Sequence, residues 1–345
     1  MVLSAWRYWV GCLVGRYGLV VIVLLCLLFA AVACATSDSG DGPEAATLTI
    51  AIYPSGCFST SLFVARDREY FDHEGISVRF KECESGAAAV DELLAGRVDL
   101  ACAADYVLAN DAMTHPEVRA VSELFSSTTL IKLVARRDRG IKAASDLVGK
   151  TVATPEGTAG HYYLEQSLAV NGIETGVVDV VFRAPGELNQ ALRTGEVDAV
   201  SIWEPLATDI ADDLDGGSVS LDGQAGQRLY FLLIGLDQWL TSHPGDVHAI
   251  LRALLKAEEF MFENSDDAIA IVARATKQPE TTLAVSWEQF HFGITLSEGL
   301  RAALASELDW LSSSHEASGP QVAPLSLMDF RGLEEVAPDA ISVLR

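Results

Sequence analysis

The feature that most constrains this chain is a repeated helix-to-strand junction. Leu94-Ala95-Gly96-Arg97-Val98-Asp99 and Leu192-Arg193-Thr194-Gly195-Glu196-Val197-Asp198 share glycine, any residue, valine and aspartate, and six positions later each has an acid, Asp105 and Glu204. Upstream, Glu74-Gly75-Ile76 and Asn171-Gly172-Ile173 stand at similar offsets. Glycine at such a place stops a helix, and the valine beyond it enters a strand. Two copies of this junction predict two analogous α/β lobes rather than one sheet.

The surrounding pattern agrees. The run TLTIAIY over 47–53 is an apolar, β-branched strand ended by Pro54-Ser55-Gly56. A helix is expected from Ser59 or Thr60 through Phe71, a strand over 76–80, a helix over 87–95 opened by Ser85-Gly86, and a strand over 98–103. Short connections between them give a βαβαβ unit and hence a parallel sheet covered by helices. The second unit repeats this with strands over 150–154, 177–182 and 197–203 and helices over 158–170 and 185–193. Runs at 129–135 and 228–236 read as strands, and crossings between the sheets near 129–137 and 228–236 would form a hinge. The remainder is mostly helical, led by 244–263, where Val247, Ile250, Leu251, Leu254, Leu255 and Phe260 recur at helical spacing. Ligands of such folds sit beyond the carboxyl ends of the strands, in the crevice between lobes.

The N-terminus is a separate device. Residues 19–32 (LVVIVLLCLLFAAV) carry no charge, Arg7 and Arg16 precede them, and the first acid is Asp38. This charge pattern holds an N-terminus on the cytoplasmic side while the rest is exported. Ala31-Val32-Ala33-Cys34, followed by the polar ATSDSGDGPEAAT, resembles the lipobox of bacterial lipoproteins. That resemblance implies lipidation at Cys34; an uncleaved single-pass anchor and cleavage to a soluble protein are the alternatives. The expected organisation is a signal peptide or membrane anchor over 1–34, a flexible linker over 35–46, a first lobe over 47–135, a second lobe over 136–230, and a mostly helical return to the first lobe over 231–345.

Charge narrows the function. The whole chain has 24 basic and 48 acidic residues, a net of -24. The leader holds two of the arginines and no acid, so the remainder is more acidic still. Nucleic-acid binding is therefore excluded as an expectation, and so is adhesion of the folded surface to an anionic bilayer. A small-molecule pocket stays open, because its charge can differ from the surface average. Beyond Cys34 there are only Cys57, Cys83 and Cys102, at or just after the ends of the first three expected strands. Three readings stand for them: ordinary core or loop residues, a disulfide between two, or a thiolate site for a soft metal.

Several segments taken in order are similar to a known family. They are TLTIAIY, SLFVARDREYFDHEGISVRF, ELLAGRVDLA, KTVATPEGTAGHYYLEQSL, LRTGEVDAVSIWEP and WLTSHPGDVHAILRALLKA, together spanning about 47–310. The chain resembles type II periplasmic solute-binding proteins, and within them the nitrate/sulfonate/taurine group of ABC-transporter binding proteins, which includes binders of thiamine-pyrimidine precursors. The resemblance implies a two-lobed α/β fold with a hinge and an interlobe ligand cleft. It also implies a small-molecule ligand, a partner permease with its ATPase, attachment to the membrane by lipid or helix, a monomer, an extracytoplasmic location and no cofactor.

Carried over by position, the cleft draws on the loops 53–57, 84–86, 104–106, 156–161 and 203–205. The candidate ligand-binding residues are Tyr53, Ser55, Cys57, Glu84, Ser85, Asp105, Thr158, Ala159, His161, Trp203 and Glu204. Thr158, Ala159 and Gly160 would expose amide hydrogens at a helix N-terminus, which suits an anion or polar acceptor. Trp203 would stack on a planar ligand or close over an aliphatic one, unless it is a core residue. Asp105 and Glu204, if both face the cleft, would suit an amine or another donor-rich ligand and repel nitrate or a sulfonate; otherwise they are surface or hinge acids. His161 is either a donor to the ligand or a packed helical residue.

Rival functions find less support. HExxH, GxSxG and GxGxxG are all absent from the sequence, so the expectation is a binding protein and not an enzyme. A ligand-sensing module with the same fold is the first alternative, and an extracytoplasmic enzyme the weaker one.

Overall fold

In the computed structural model, residues 47–174, 176–314 and 322–344 are described; the apolar leader, Cys34 and the 35–46 linker lie outside them. Among the described residues no helix is long and apolar enough to cross a membrane.

The first sheet starts with β1 (Thr47–Ile52), β2 (Ser77–Glu82) and β3 (Leu100–Ala104). β1 pairs parallel with β2 from Thr47↔Ser77 to Ile52↔Glu82, and parallel with β3 at Ile50↔Leu100. β1 beyond Thr47 and all of β3 are buried, as strands covered on both faces must be. β4 (Val118–Ser127) is the last strand of this sheet before the chain crosses to the second. The second sheet holds β5 (Ile131–Arg136), β6 (Thr151–Thr154), β7 (Asp179–Phe182), β8 (Ala199–Trp203) and β9 (Ser218–Asp222), in the order β7-β6-β8-β5-β9. β10 (Leu229–Leu236) returns to the first sheet between β3 and β4, antiparallel to both, and β11 (His291–Phe292) pairs with β4 at its edge.

Two α/β lobes result, each with a mixed sheet flanked by helices, as the repeated junction predicts. The boundaries differ from the expected ones. The sheets change at 128–130 and 223–228, so 131–135 belongs to the second lobe and 229–230 to the first. The expected crossing runs are strands that already belong to their destination sheets, because their apolar residues pair at once: β5 with β8 from Ile131↔Trp203, β10 with β3 from Phe231↔Ala104. One side chain joins the two crossings. Gln224 is fully buried; its Oε1 accepts from the Ile131 N–H at 2.9 Å, and its Nε2 donates to the carbonyls of Ser127 and Gln227, both at 3.0 Å.

Other departures are local. The helix expected through Phe71 is two, Thr60–Asp67 and Tyr70–His73, because Glu69 between them takes a left-handed φ of 57°. The helix Leu206–Asp212, β9, β11 and the helix Arg331–Val336 have no counterpart in the sequence-based reading. The helix Pro244–Glu263 matches its expected span, and Val247, Ile250, Leu251 and Leu254 are buried along one face. The helix Glu298–Ser314 packs across the helix Asp105–Ala112.

One apolar core runs through the first lobe and into the second, taking in Ala153, Val200 and Ile202. A smaller core built on Leu133, Leu147, Val152, Leu164, Leu168 and Val178 lies within the second lobe alone.

Candidate functional site

The residues that end the strands of both lobes meet at one place. Tyr53 follows β1, Ala104 ends β3, Trp203 ends β8, and Thr158 stands four residues beyond β6. Together with Phe58, Ala87, Leu229 and Phe231 from the first lobe, and Ile131 and Ala159 from the second, they enclose a small chamber. Its walls are mostly apolar. Tyr53 packs edge-on against Phe58 at 5.0 Å and against Trp203 at 6.0 Å between ring centroids. Phe58 in turn packs edge-on against Phe231 at 5.1 Å.

Two helix N-termini open into this chamber. Helix Gly86–Leu94 of the first lobe starts at Ser85, whose Oγ accepts from the Ala88 N–H at 3.1 Å. Helix Ala159–Val170 of the second lobe has no side-chain cap, because the Thr158 hydroxyl donates instead to the Pro155 carbonyl at 2.7 Å. First-turn N–H groups have no partner inside their own helix, and the aligned peptide dipoles make such an end electropositive. A glycine lets each end lie close on its sheet. A Cβ on Gly86 would come within 2.9 Å of the Ala103 Cα, and one on Gly160 within 3.0 Å of the Ser201 carbonyl oxygen. The two lobes therefore use the same device to aim backbone donors at one point.

The lobes are closed on each other. The inner cavity is about 30 Å³, room for little more than a water molecule. Gly56 of the first lobe, at φ +53°, stands where a Cβ would lie 3.2 Å from the Pro205 ring of the second. Outside the chamber, and sharing Ala87 and Thr158 with it, is a wider mouth of about 360 Å³ lined by Glu84, Ser85, Glu156, Phe182, Arg183 and Glu187. Arg183 there pairs with Glu196 at 2.7 Å.

Two polar groups inside are poised. The Trp203 indole N–H is buried, and no acceptor meets hydrogen-bond geometry with it. It lies beside the Tyr53 hydroxyl, whose pKa is raised by burial and partly held down by the indole and by Ser55.

The expected site residues divide accordingly. Tyr53, Thr158, Ala159 and Trp203 line the inner chamber; Glu84 and Ser85 line the mouth. Ser55 is half-buried and meets the Gln278 amide at 3.5 Å. Cys57 is packed in the core, its Sγ 4.0 Å from the Leu283 carbonyl, and burial raises its thiol pKa to about 12. Cys57, Cys83 and Cys102 are all free thiols, and among the described residues no group of three or more His, Cys, Asp and Glu is placed to hold a metal ion. His161 packs on Phe182 at 4.9 Å and on Trp310 at 6.3 Å, outside both linings.

The expected acid pair across the cleft does not form. Asp105 is fully buried at the start of its helix, accepting from the Tyr106 and Tyr230 N–H groups, each at 3.1 Å. Burial raises its pKa to about 7 against the pull of those N–H groups. Glu204 caps a helix turn, accepting from the Thr208 N–H at 3.0 Å and from its hydroxyl at 2.8 Å. Neither acid lines the chamber, so the objection they raised to an anionic ligand falls away. Phe58, Ala87, Leu229 and Phe231 were missed. The alternation of Leu229 and Phe231 in the run RLYFLLIGL was the available signal, since side chains two apart share a strand face.

Two α/β lobes joined by a double crossing, with strand ends and helix N-termini meeting between them, define the type II periplasmic-binding-protein fold with its interlobe cleft. The comparisons agree. A family profile described as "NMT1/THI5 like" matches residues 58–268, and the chain belongs to that family. A putative binding protein of Brucella abortus (strain 2308) is 23% identical over 223 residues, 64% of this chain and 68% of that protein. The taurine-binding periplasmic protein of Escherichia coli (strain K12) is 26% identical over 227 residues, 62% of this chain and 68% of its own length. The solved alkanesulfonate-binding protein of Xanthomonas axonopodis pv. citri, bound to MOPS, superposes with a TM-score of 0.69 at 19% identity, covering 83% of this chain and 99% of that one.

Proposed function

We propose that this protein captures a small organic molecule with an anionic head outside the cytoplasm and delivers it to an ABC permease and its ATPase, with no chemistry of its own. The observation that carries this reading is the convergence of two helix N-termini, at Gly86 and Ala159, on one otherwise apolar chamber. Backbone N–H donors there suit a sulfonate or carboxylate. The aromatic walls suit a short apolar body, and the Trp203 N–H is an additional donor. The names of the taurine-binding and alkanesulfonate-binding relatives point the same way. The apolar leader and the lipobox-like Ala31-Val32-Ala33-Cys34 would keep the receptor beside its membrane partner.

Entry needs an opening motion, because the closed chamber is smaller than any organic sulfonate. The thin crossings at 128–130 and 223–228 are the places for it. Isothermal titration and thermal shift with propanesulfonate, propanoate, propanol, propylammonium and a formylated aminopyrimidine test the reading. The expected result is binding by the anionic members alone, with apparent stability raised by about 2.7 kcal/mol at a hundredfold excess over Kd. Stabilisation by propanol equal to that by propanesulfonate, or by the pyrimidine alone, would overturn the anionic-head assignment.

A further inference from the structure

We propose that the protein has a second small-molecule site, on the face of β10 opposite the cleft, which takes a small organic ammonium ion against the carboxyl of Glu307. Along β10, Leu229 and Phe231 line the cleft while Arg228 and Tyr230 line a separate cavity of about 250 Å³. The other walls are Tyr162 and Tyr163 from the helix Ala159–Val170 and Ala303 and Glu307 from the helix Glu298–Ser314. A Cβ on Gly299 would lie 2.1 Å from the Tyr230 hydroxyl oxygen, so only glycine there lets that phenol lie over the helix's first turn.

Glu307 is the reason to call this a site. It is 1% exposed, and neither carboxylate oxygen accepts a hydrogen bond from an N–H or O–H donor among the described residues. A buried carboxyl without a donor is costly, and the surroundings offset that cost in one direction only. Its neighbour is the Asp105 carboxyl, within hydrogen-bond reach, and after burial that charge holds the proton affinity of Glu307 up. A cation entering the cavity would meet a buried acid that has no donor of its own.

The wider charge environment favours a cation. Glu123 on β4 and Glu165 on the helix Ala159–Val170 add to the negative field acting on the surrounding phenols and on Asp105. Arg228, the cation of the lining, is held by Ser126 at 3.0 Å and acts on Glu123. The ring faces are arranged for an organic cation as well. Tyr162, Tyr163 and Tyr230 give the cavity its aromatic walls. A bare metal ion is a poor occupant: the cavity is large, and no cluster of three metal-ligating side chains occurs among the described residues. An alkylammonium supplies N–H donors to the carboxyl and a short apolar part to the rings. On binding, its charge replaces the proton of Glu307, which leaves to solvent.

The test is titration of the purified full-length protein with ethylammonium chloride at pH 8, against sodium chloride at the same ionic strength. Saturable binding of ethylammonium, at least tenfold tighter at pH 8 than at pH 5.5, is expected. Glu307→Gln, which keeps the shape of the protonated acid, should weaken it at least tenfold. Ser306→Trp, at the exposed rim, should do the same by blocking the opening while leaving the Glu307 carboxyl in place. Heats that match those of sodium, or equal ethylammonium affinity in the parent and both variants, would overturn the site. A loss caused by Trp203→Phe alone would place the ammonium in the cleft and overturn it equally.

Discussion

Asp99 and Asp198 make the same two hydrogen bonds, one pair in each lobe. The Asp99 carboxylate accepts from the Thr49 N–H at 2.7 Å while its own N–H donates to the Thr49 carbonyl at 2.9 Å. Asp198 accepts from the Thr151 N–H at 3.0 Å and donates to the Thr151 carbonyl at 2.9 Å. The glycine three residues earlier, Gly96 at φ +67° or Gly195 at φ +77°, turns the chain out of its helix so that the aspartate meets the neighbouring strand. The repeated motif is thus a clamp on the start of β1 and of β6, not a ligand site. Asp99→Ala and Asp198→Ala should each cost about 1.5–3 kcal/mol in urea unfolding, the range for hydrogen bonds to a charged group. A loss below about 0.5 kcal/mol, the scatter of plain surface changes, would remove the clamp from the account.

Trp203 closes the chamber with a ring edge against Tyr53 and a buried indole N–H that meets no acceptor in hydrogen-bond geometry among the described residues. It is 6% exposed, so Trp203→Ala would cost about 3–5 kcal/mol in stability and confuse the two roles. Trp203→Phe keeps a ring in place and deletes the donor. Its expected effect is about a tenfold loss of affinity for the cleft ligand, or about 1.4 kcal/mol, with the thermal midpoint moved by only a few degrees. Unchanged affinity by calorimetry would show that the indole N–H plays no part in capture.

The fold was largely legible because its signals are local. Gly96 and Gly195 mark helix ends, and TLTIAIY and the 244–263 helix carry their own periodicity. The site was legible where it is made of backbone at a strand end or helix start, as at Tyr53, Thr158 and Trp203. It failed where a side chain's direction decides its role. Asp105 and Glu204 hold equivalent places in the repeat, yet one is buried beneath Tyr230 and the other caps Thr208. Glu307 sits in an ordinary amphipathic helix, and only the packing of that helix over Asp105 makes it unusual. Likewise no local pattern tells that Gln224, in a polar loop, is the side chain that joins both crossings.

That glutamine gives a prediction for the hinge. Gln224→Ala removes three hydrogen bonds and leaves the Ile131 N–H buried without its acceptor. The cost should be on the order of 1–3 kcal/mol. The amide of Ile131 should exchange with solvent much faster than those of Leu133 and Val134 in the middle of β5. Parent-like protection at Ile131 would mean that water or a shifted neighbour takes over the bond and that the crossings do not depend on this side chain.

Buried acids with raised proton affinity, Asp105, Glu123 and Glu307 foremost, set the pH dependence of stability. Burial raises the pKa of Asp105 from 3.8 to about 7 and that of Glu123 from 4.5 to about 7. Glu307 is raised as well, by burial first and then by the Asp105 charge. Between the ordinary carboxylate range and pH 7 the folded state therefore holds protons that the unfolded chain has released. Stability supplied by these groups is fully present below about pH 4 and is lost as the pH rises through 7. Exposed acids such as Glu92, whose hydrogen bonds to Arg97 and Lys81 bring its pKa down to about 2, act in the opposite sense, but only as the pH falls below the ordinary carboxylate range. The thermal midpoint should accordingly fall by several degrees from pH 5 to pH 8. Glu307→Gln removes one of these acids, so its midpoint should vary less over that interval and exceed the parent's at pH 8. A parent midpoint that is flat or rises between pH 5 and pH 8 would mean that these carboxyls are ionised and solvated in the folded protein, contrary to their burial.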